Sequence, residues 1–295
     1  MPNINAAGKL EFKRLDVAII GACNLRCKNC CSFSPAVDYR VPTATVLESI
    51  PILAARFKPK MVSILGGEPL LHEGIIDILN CACEHFSEGS DVLLRTNGEL
   101  LVKGYARLQD LIDLSARYKN FAIIISKHII ETPLIKWTEE HKDRLKIGLK
   151  YVRDTFHTID IGVLGQDKEL VFNTRDKNIV MQHSVQTENA NPVCNMYVRE
   201  NYSVTGSKLF RCACHGFRCN LVKYGLSNKQ IINKEWAEAV LASDGIDFYT
   251  APMEDILKYV TDAPFDECAL CTPAQSYEQK QMTPEEYESY LRAFS

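Results

Sequence analysis

Three cysteines close to the N-terminus have the type and spacing to hold a metal centre. Cys23, Cys27 and Cys30 are spaced C-x3-C-x2-C, so one short segment supplies three thiolates and no fourth. A cluster of four irons and four sulfurs held by three thiolates keeps one iron open for a small-molecule ligand. A disulfide framework needs an even set, and a closed zinc site needs a complete tetrahedron. A zinc knuckle or three unrelated thiols remain alternatives for this segment.

A second motif follows a predicted strand further along the chain. Residues 60–65 form an apolar run that leads directly into Gly66-Gly67-Glu68-Pro69. The two glycines let the backbone approach a ligand closely, and Glu68 offers a carboxylate to a cationic group. An ordinary strand-to-helix turn would also use Gly-Gly and Pro. Residues 16–20 are another short apolar run, which predicts a buried strand directly before the cysteines.

In this order, the two motifs resemble the signature loops of the radical S-adenosylmethionine (SAM) enzymes. The resemblance implies that Cys23, Cys27 and Cys30 ligate a 4Fe-4S cluster whose open iron is chelated by SAM. It implies that Glu68 faces the amino group of SAM, and that Arg95-Thr96-Asn97-Gly98 is similar to the family's TNG segment. The SAM-binding residues expected from the resemblance are Gly66, Gly67, Glu68, Pro69, Thr96, Asn97 and Ser126.

One position departs from the family pattern. Relatives usually carry an aromatic residue just before the third cysteine, where it packs near the adenine of SAM, and this chain has Asn29. Phe33 and Tyr39 follow shortly after and are candidates to replace that contact.

The composition predicts a cytoplasmic protein that binds neither nucleic acid nor a membrane. The chain has 295 residues, of which 46% are hydrophobic, yet no apolar stretch approaches the ~18 residues of a membrane span. Its N-terminus has no basic region followed by an apolar run, so no secretory signal is expected. The net charge is −3, with no basic block. Twelve cysteines without an export signal favour metal ligation in a reducing compartment.

Strand and helix patterns alternate along most of the chain. This alternation predicts an α/β protein with a parallel sheet, here a partial (β/α)6 TIM-like barrel, which is also the fold that the resemblance implies. In such folds ligands bind at the carboxyl ends of the strands. A helix over 43–57 is expected to kink or split at Pro51. The predicted strands are residues 16–20, 60–65, 91–96, 121–126, 146–151 and 158–164, and the other predicted helices are residues 74–86, 105–118 and 133–145.

Four more cysteines lie in the second half of the chain. Cys194, Cys212 and the pair Cys268-x2-Cys271 can close a four-thiolate site once the chain folds back. Residues 202–212 predict a β-hairpin with Gly206 in its turn. This region resembles the twitch domain, the short form of the SPASM domain. The resemblance implies a second, auxiliary 4Fe-4S cluster in a small C-terminal β-hairpin/helix domain, and a closed zinc site is the alternative.

Three units are expected along the chain. Residues 11–190 form the radical SAM partial barrel, residues 191–275 the twitch-like domain, and residues 276–295 a C-terminal helix. The stretch 166–191 is the best candidate for a linker.

The resemblance implies reductive cleavage of SAM to a 5′-deoxyadenosyl radical, which abstracts hydrogen from a polar small molecule such as a sugar or aminocyclitol. An electron donor such as flavodoxin or ferredoxin supplies the electron. If the auxiliary cluster accepts an electron from the substrate radical, the result is an oxidation, with Arg153, His157 or Asp160 as the base.

Three other functions stay open. A radical epimerase would use Cys31, Cys214 or Cys219 as the hydrogen-atom donor. A peptide maturase is less expected, because only about a dozen residues precede the first strand and leave no room for a leader-binding domain. A metal-binding scaffold without catalysis is the fourth reading, and it would bind metal tightly without cleaving SAM.

Overall fold

Parallel strands joined by helices build the described part of the chain. The computed structural model describes residues 2–26, 30, 32–34, 37–127, 131–151, 200–225, 234–261 and 285. The strands are β1 (Asn3–Ile4), β2 (Leu10–Ile20), β3 (Phe57–Gly66), β4 (Asp91–Thr96), β5 (Phe121–Lys127), β6 (Ile147–Tyr151), β7 (Asn201–Thr205), β8 (Lys208–Phe210) and β9 (Ile246–Asp247). The helices are α1 (Thr43–Arg56), α2 (Ile75–His85), α3 (Glu99–Val102), α4 (Leu108–Arg117), α5 (Glu131–His141), α6 (Ala213–Tyr224), α7 (Lys234–Ala242) and α8 (Met253–Thr261), with a 3-10 turn at Pro69–Leu71.

These strands form one sheet in the order β6-β5-β4-β3-β2-β7-β8-β9, with β1 paired to β2. Strands β2 to β6 are parallel neighbours, as expected when a helix returns the chain to the same end of the sheet each time. The predicted α/β class with a parallel sheet core, the core of a partial TIM barrel, is therefore confirmed. The predicted strand at 158–164 lies outside the described residues.

The local predictions and the observed elements differ most at β2 and β3. Both strands begin earlier than their apolar runs, at Leu10 and Phe57. In β2 the early part contains charged residues, and Arg14 is nevertheless buried because it forms a two-pronged ion pair with Asp16, with N–O distances of 2.6 and 2.7 Å. A charge that is neutralised by a strand neighbour does not break the strand, so hydrophobicity alone underestimates its length.

The predicted split of this helix at Pro51 is wrong, because α1 runs without interruption from Thr43 to Arg56, and a kink at Pro51 stays a prediction. Pro51 has no N–H for the carbonyl of Leu47, one turn earlier. The thiol of Cys81 lies 4.0 Å from that carbonyl oxygen and donates to it instead. The apolar face of α1 is buried on both sides of the proline and holds the helix against the sheet; its members include Val46, Ile50, Leu53 and Ala54.

The predicted hairpin is confirmed as β7 and β8, with Gly206 at a φ of 58° in the turn. Its first strand also pairs in parallel with β2, from Arg14 opposite Asn201 to Val17 opposite Val204. The hairpin therefore extends the same sheet beyond β2, and α6 follows with Ala213 and Phe217 packed against Ala18. The expected unit boundaries near 190 and 275 fall outside the described residues and stay predictions. None of the helices in the described ranges has the length and hydrophobicity needed to cross a membrane.

Candidate active site

The predicted site residues converge where three neighbouring parallel strands end. Cys23 follows the end of β2, Glu68 follows the end of β3, and Asn97 follows the end of β4. Since these strands are parallel neighbours in the order β4-β3-β2, their carboxyl ends meet at one edge of the sheet. The topology therefore brings these three predicted residues to one edge of the sheet, and ligand binding at this edge stays a prediction.

The two glycines of the second motif pass directly over the backbone that leads into the cysteines. A Cβ atom on Gly66 would lie 2.1 Å from the carbonyl oxygen of Ile20, and one on Gly67 would lie 2.2 Å from that of Ala22. The contact is held by hydrogen bonds, because Gly67 N donates to Ile20 O at 2.7 Å and Glu68 N donates to Ala22 O at 2.9 Å. The close approach that these glycines permit is therefore to the chain's own backbone, which locks the two motifs together.

The carboxylate of Glu68 is fully buried and accepts three hydrogen bonds. Its Oε1 accepts from the backbone N–H of Leu70 at 3.0 Å and from the hydroxyl of Thr96 at 2.8 Å. Its Oε2 accepts from the backbone N–H of Asn97 at 2.9 Å. An ionised carboxylate has about four acceptor positions, so Oε2 keeps one for a further donor.

Burial raises the pKa of Glu68 to about 7, and the three hydrogen bonds oppose that rise by favouring the ionised form. The nearby negative charge of Glu99 adds to the rise. A donor that carries or develops positive charge would stabilise the ionised carboxylate if it bound at the remaining acceptor position. The resemblance gives the amino group of SAM as that donor, and this contact stays a prediction, because the Glu68 side chain has no solvent-exposed surface among the described residues.

Two of the three predicted cluster ligands lie in the described residues, and both thiols face polar donors. Cys23 Sγ accepts from the backbone N–H of Leu25 at 3.4 Å and lies 3.8 Å from Asn97 Nδ2. Cys30 Sγ lies 3.2 Å from the hydroxyl of Ser32. Iron–sulfur clusters are held by cysteine sulfurs, so these two residues are of the type that the predicted cluster needs.

The third ligand, Cys27, lies outside the described residues. Within the described ranges, no three His, Cys, Asp or Glu side chains are gathered around one point that could hold a metal. This agrees with the predicted ligand sets, since each of them includes at least one cysteine beyond those ranges.

The remaining SAM-binding candidates lie at the same edge or support it. Pro69 is buried and begins the 3-10 turn that brings the N–H of Leu70 to Glu68. Thr96 is buried, and besides donating to Glu68 its hydroxyl accepts from Gly98 N at 3.1 Å. Ser126 lies near the carboxyl end of β5, in register with Lys150 of β6. Direct contact of any of these residues with SAM stays a prediction.

The sequence interpretation missed a chain of polar side chains beside Cys23. Asn24 Oδ1 accepts from Asn97 Nδ2 at 2.8 Å, and Asn24 Nδ2 donates to Glu99 Oε2. Lys103 Nζ donates to the other carboxylate oxygen of Glu99 at 2.7 Å. In the sequence, only their positions point to these linked side chains: Asn24 follows the first cysteine, and Glu99 follows the TNG segment.

The two aromatic candidates for the adenine contact pack toward α6. Phe33 lies in the cluster with Ala213 and Phe217. Tyr39 is buried, its ring centroid lies 5.0 Å from that of Tyr224, and its hydroxyl accepts from Asn220 Nδ2 at 2.9 Å. These contacts join the segment after the cysteines to α6, and a role for either ring near adenine stays a prediction.

Cys212 is the only predicted auxiliary ligand within the described residues. It is the N-cap of α6, and its Sγ accepts from the backbone N–H of His215 at 3.3 Å. Cys214 and Cys219 are buried in α6, and Cys219 Sγ donates to the carbonyl of Val240 in α7 at 3.7 Å. The other predicted ligands and catalytic candidates lie outside the described residues: Cys194, Cys268, Cys271, Cys31, Arg153, His157 and Asp160.

The buried acid, the thiol of Cys23 and the glycine crossing meet at the carboxyl edge of a parallel sheet, which is where α/β enzymes bind their ligands. Comparison with known families agrees with this class. Residues 17–166, about half of the chain, match the radical SAM superfamily, and the chain belongs to that superfamily.

Two curated relatives and two solved structures are similar to the chain. The relatives are both named GTP 3',8-cyclase. The one from Bradyrhizobium diazoefficiens is 34% identical over 118 residues, covering 37% of this chain and 32% of that protein. The one from Helicobacter pylori is 27% identical over 187 residues, covering 59% of this chain and 55% of that protein. The chain thus matches about a third of the length of the first relative and about half of the length of the second.

The solved structures are more distant in sequence. BtrN in complex with AdoMet and 2-DOIA is 15% identical, with a TM-score of 0.49, covering 92% of this chain and 98% of that one. Streptococcus suis SuiB is 20% identical, with a TM-score of 0.37, covering 48% of this chain and 34% of that one.

Replacing Gly67 by Ala should destabilise the fold and prevent cluster assembly. The added Cβ meets the backbone carbonyl oxygens of Ala22 and Gly21, and the Ala22 carbonyl is held by its hydrogen bond from Glu68 N. We expect the free energy of unfolding in urea to fall by about 3 kcal/mol or more. Gly89→Ala is the matched control, because Gly89 has a φ of 87° but open space around it. That control should cost about 1–2 kcal/mol and still assemble a cluster. Equal losses in the two variants would contradict the crossing contact.

Glu68→Gln should weaken SAM binding by roughly 10- to 100-fold, the value of a hydrogen bond to a charged group. It should also flatten the pH dependence of SAM binding between pH 5.5 and 7.5. In the wild type, Glu68 must lose its proton to accept from the amino group of SAM, so affinity rises as pH increases toward its pKa of about 7. Calorimetric titration across this range measures both effects.

Glu73→Gln is the control for this substitution, because Glu73 is an exposed acid near the same turn, with its side chain 68% accessible. It should leave both the affinity and its pH profile unchanged. An identical pH slope in the wild type and in Glu68→Gln would rule out Glu68 as the titrating group.

Proposed function

We propose that the chain is a radical SAM oxidoreductase that acts on a polar small molecule and uses an auxiliary 4Fe-4S cluster as electron acceptor. The observation that carries the SAM part is Glu68, a buried carboxylate with one acceptor position left and a single residue, Asn97, between it and Cys23. Cys23, Cys27 and Cys30 would hold the SAM cluster, and that cluster together with SAM would supply the radical chemistry that removes hydrogen from the substrate.

The chain's own residues contribute position and exclusion of water. Glu68 orients the amino group of SAM through its remaining acceptor position, and Thr96, Leu70 and Asn97 keep the carboxylate from rotating. The glycine crossing fixes the distance between this carboxylate and the backbone that enters the cysteine segment. Since the carboxylate is fully buried, a ligand that meets it is also shielded from water.

A polar row on one face of the sheet supports a polar substrate. Asp16 of β2 is paired with Arg14, and it lies in register with Ser63 of β3 and Ser203 of β7. Arg95 of β4 donates to the hydroxyl of Ser63 at 3.0 Å. The row makes this face of the sheet polar, which supports a polar substrate such as a sugar or aminocyclitol over an apolar one.

The surroundings of Cys212 support the auxiliary cluster. As N-cap of the twelve-residue α6, its sulfur receives a backbone N–H and the positive end of the helix dipole, which favours a thiolate. The preceding residue, Arg211, donates to the carbonyl of Tyr259 at 2.5 Å and lies 4.2 Å from the centroid of that ring. Cys268 follows Tyr259 by nine residues, which can span at most about 30 Å, so the Cys268/Cys271 pair is within reach of Cys212.

A nucleotide substrate is a second candidate, favoured by the shared name of the two curated relatives. Both are named GTP 3',8-cyclase, and the guanidinium of Arg95 in the polar row is a group that can bind a phosphate. Consumption of GTP coupled to SAM cleavage would support this candidate.

A substrate that loses two hydrogens would support oxidation, whereas a substrate of unchanged mass and inverted configuration would support an epimerase.

Metal content after anaerobic reconstitution tests the proposal. We expect roughly eight irons per chain in the wild type, and roughly four in both Cys23/Cys27/Cys30→Ala and Cys212→Ala, because each substitution should remove one 4Fe-4S cluster. Only Cys23/Cys27/Cys30→Ala should abolish the reductant-dependent formation of 5′-deoxyadenosine from SAM. Iron, sulfide and zinc are measured together.

Cys81→Ala is the control, because this partly exposed thiol of α2 is outside both predicted ligand sets. It should retain roughly eight irons. Roughly four irons in the wild type, with zinc retained in Cys23/Cys27/Cys30→Ala, would show that the second site holds zinc. The protein would then lack the proposed electron acceptor.

A further inference from the structure

One residue, Asn97, contacts both the carboxylate of Glu68 and the sulfur of Cys23, which is a predicted cluster ligand. Its backbone N–H donates to Glu68 Oε2 at 2.9 Å. Its side-chain nitrogen, Nδ2, lies 3.8 Å from Cys23 Sγ, within hydrogen-bonding distance for sulfur. The two contacts use different groups of the same residue, so substitutions of the side chain can separate them.

The orientation of the Asn97 amide follows from its other partners. Its oxygen, Oδ1, accepts from the backbone N–H of Glu99 at 2.9 Å, so the nitrogen must point to the opposite side. There it donates to Asn24 Oδ1 at 2.8 Å and faces Cys23 Sγ. The two hydrogens of the amide therefore have two acceptors, one oxygen and one sulfur.

Asn24 is fixed in turn by a charged pair. Its nitrogen donates to Glu99 Oε2, and Lys103 Nζ donates to Glu99 Oε1 at 2.7 Å. The Glu99 side chain is only 17% accessible, whereas that of Lys103 is 66% accessible. Rotation of the Asn97 amide would break its bonds to both Asn24 and Glu99, so the N–H is held toward the sulfur.

The state of Cys23 decides which of its contacts matter. As a cluster ligand it is a thiolate and cannot donate to Asn24 Oδ1, which lies 3.9 Å away. The backbone N–H of Leu25 and the side-chain N–H of Asn97 can both donate to the thiolate. Hydrogen bonds to cluster sulfurs are among the factors that set a cluster's reduction potential. A donor stabilises the more negative, one-electron-reduced state and thereby raises that potential.

We propose that Asn97 is a positioning residue that raises the reduction potential of the SAM cluster through its side-chain N–H···S contact with Cys23, while its backbone N–H independently holds Glu68. The proposal rests on the cluster that membership of the superfamily implies, and it does not depend on the auxiliary cluster or on the substrate.

Asn97→Ser is the direct test, with the full chain reconstituted and no SAM present. A serine hydroxyl can still accept from the N–H two residues on, as in ST turns, but it carries no amide hydrogen for Cys23. A redox titration followed by electron paramagnetic resonance should give a midpoint potential more negative than that of the wild type. Asn97→Asp should shift it further in the same direction, because it loses the donor and adds a negative charge.

Asn80→Ser is the matched control, since Asn80 lies on α2 and its side chain bonds to Arg117 and Tyr118. Its midpoint potential should equal that of the wild type. A second control exchanges the readouts: Glu68→Gln should weaken SAM binding and, because it can only remove a negative charge, should not lower the potential of the SAM-free cluster. Asn97→Ser should lower that potential whatever its effect on SAM affinity, because the redox titration is carried out without SAM.

Two results would overturn the proposal. A midpoint potential in Asn97→Ser equal to that in Asn80→Ser would mean that the N–H does not act on the cluster. Loss of bound iron together with SAM affinity in Asn97→Ser would mean that the side chain only maintains the fold of the strand end.

Discussion

A buried negative charge governs the arrangement of this site. The carboxylate of Glu68 has no exposure to water, and leaving such a group without partners would cost several kcal/mol. Its three donors come from the turn that follows β3 and from the end of β4. The register of β3 against β4 and the shape of the turn at Pro69 must therefore satisfy this one side chain. The remaining acceptor position is what makes the charge useful to a ligand.

The same backbone links the acid to the metal-binding segment. Carbonyl groups of Ile20 and Ala22 accept the N–H groups of Gly67 and Glu68, so the carboxylate and the first cysteine are placed by one crossing. Asn97 closes this arrangement from the third strand by contacting both Glu68 and Cys23. The residues proposed for SAM binding and for the cluster thus share one hydrogen-bonded frame, whose parts come from three strand ends.

Local sequence predicted the features that depend on local patterns. The apolar runs located β2 to β6, and the spacing and motifs located Cys23, Cys30 and Glu68. The continuity of α1 through Pro51 was not predictable, because burial of Ile50 and Leu53 and the donor from Cys81 are tertiary effects. The link from Asn24 to Glu99 depends on side-chain directions that no spacing encodes. The packing of Tyr39 on α6 likewise joins segments that are distant in sequence.

The parallel pairing of β2 with β7 has a consequence for folding during synthesis. Arg14 and its partner Asn201 are about 190 residues apart, so β2 emerges from the ribosome long before the strand that covers its second edge. At ~5–20 residues per second, the backbone groups of residues 14–17 wait roughly 10–40 s for their partners. An unpaired strand edge is a template for other chains. Synthesis of this protein therefore includes an interval in which the finished fold does not yet cover the edge of the strand that leads to Cys23.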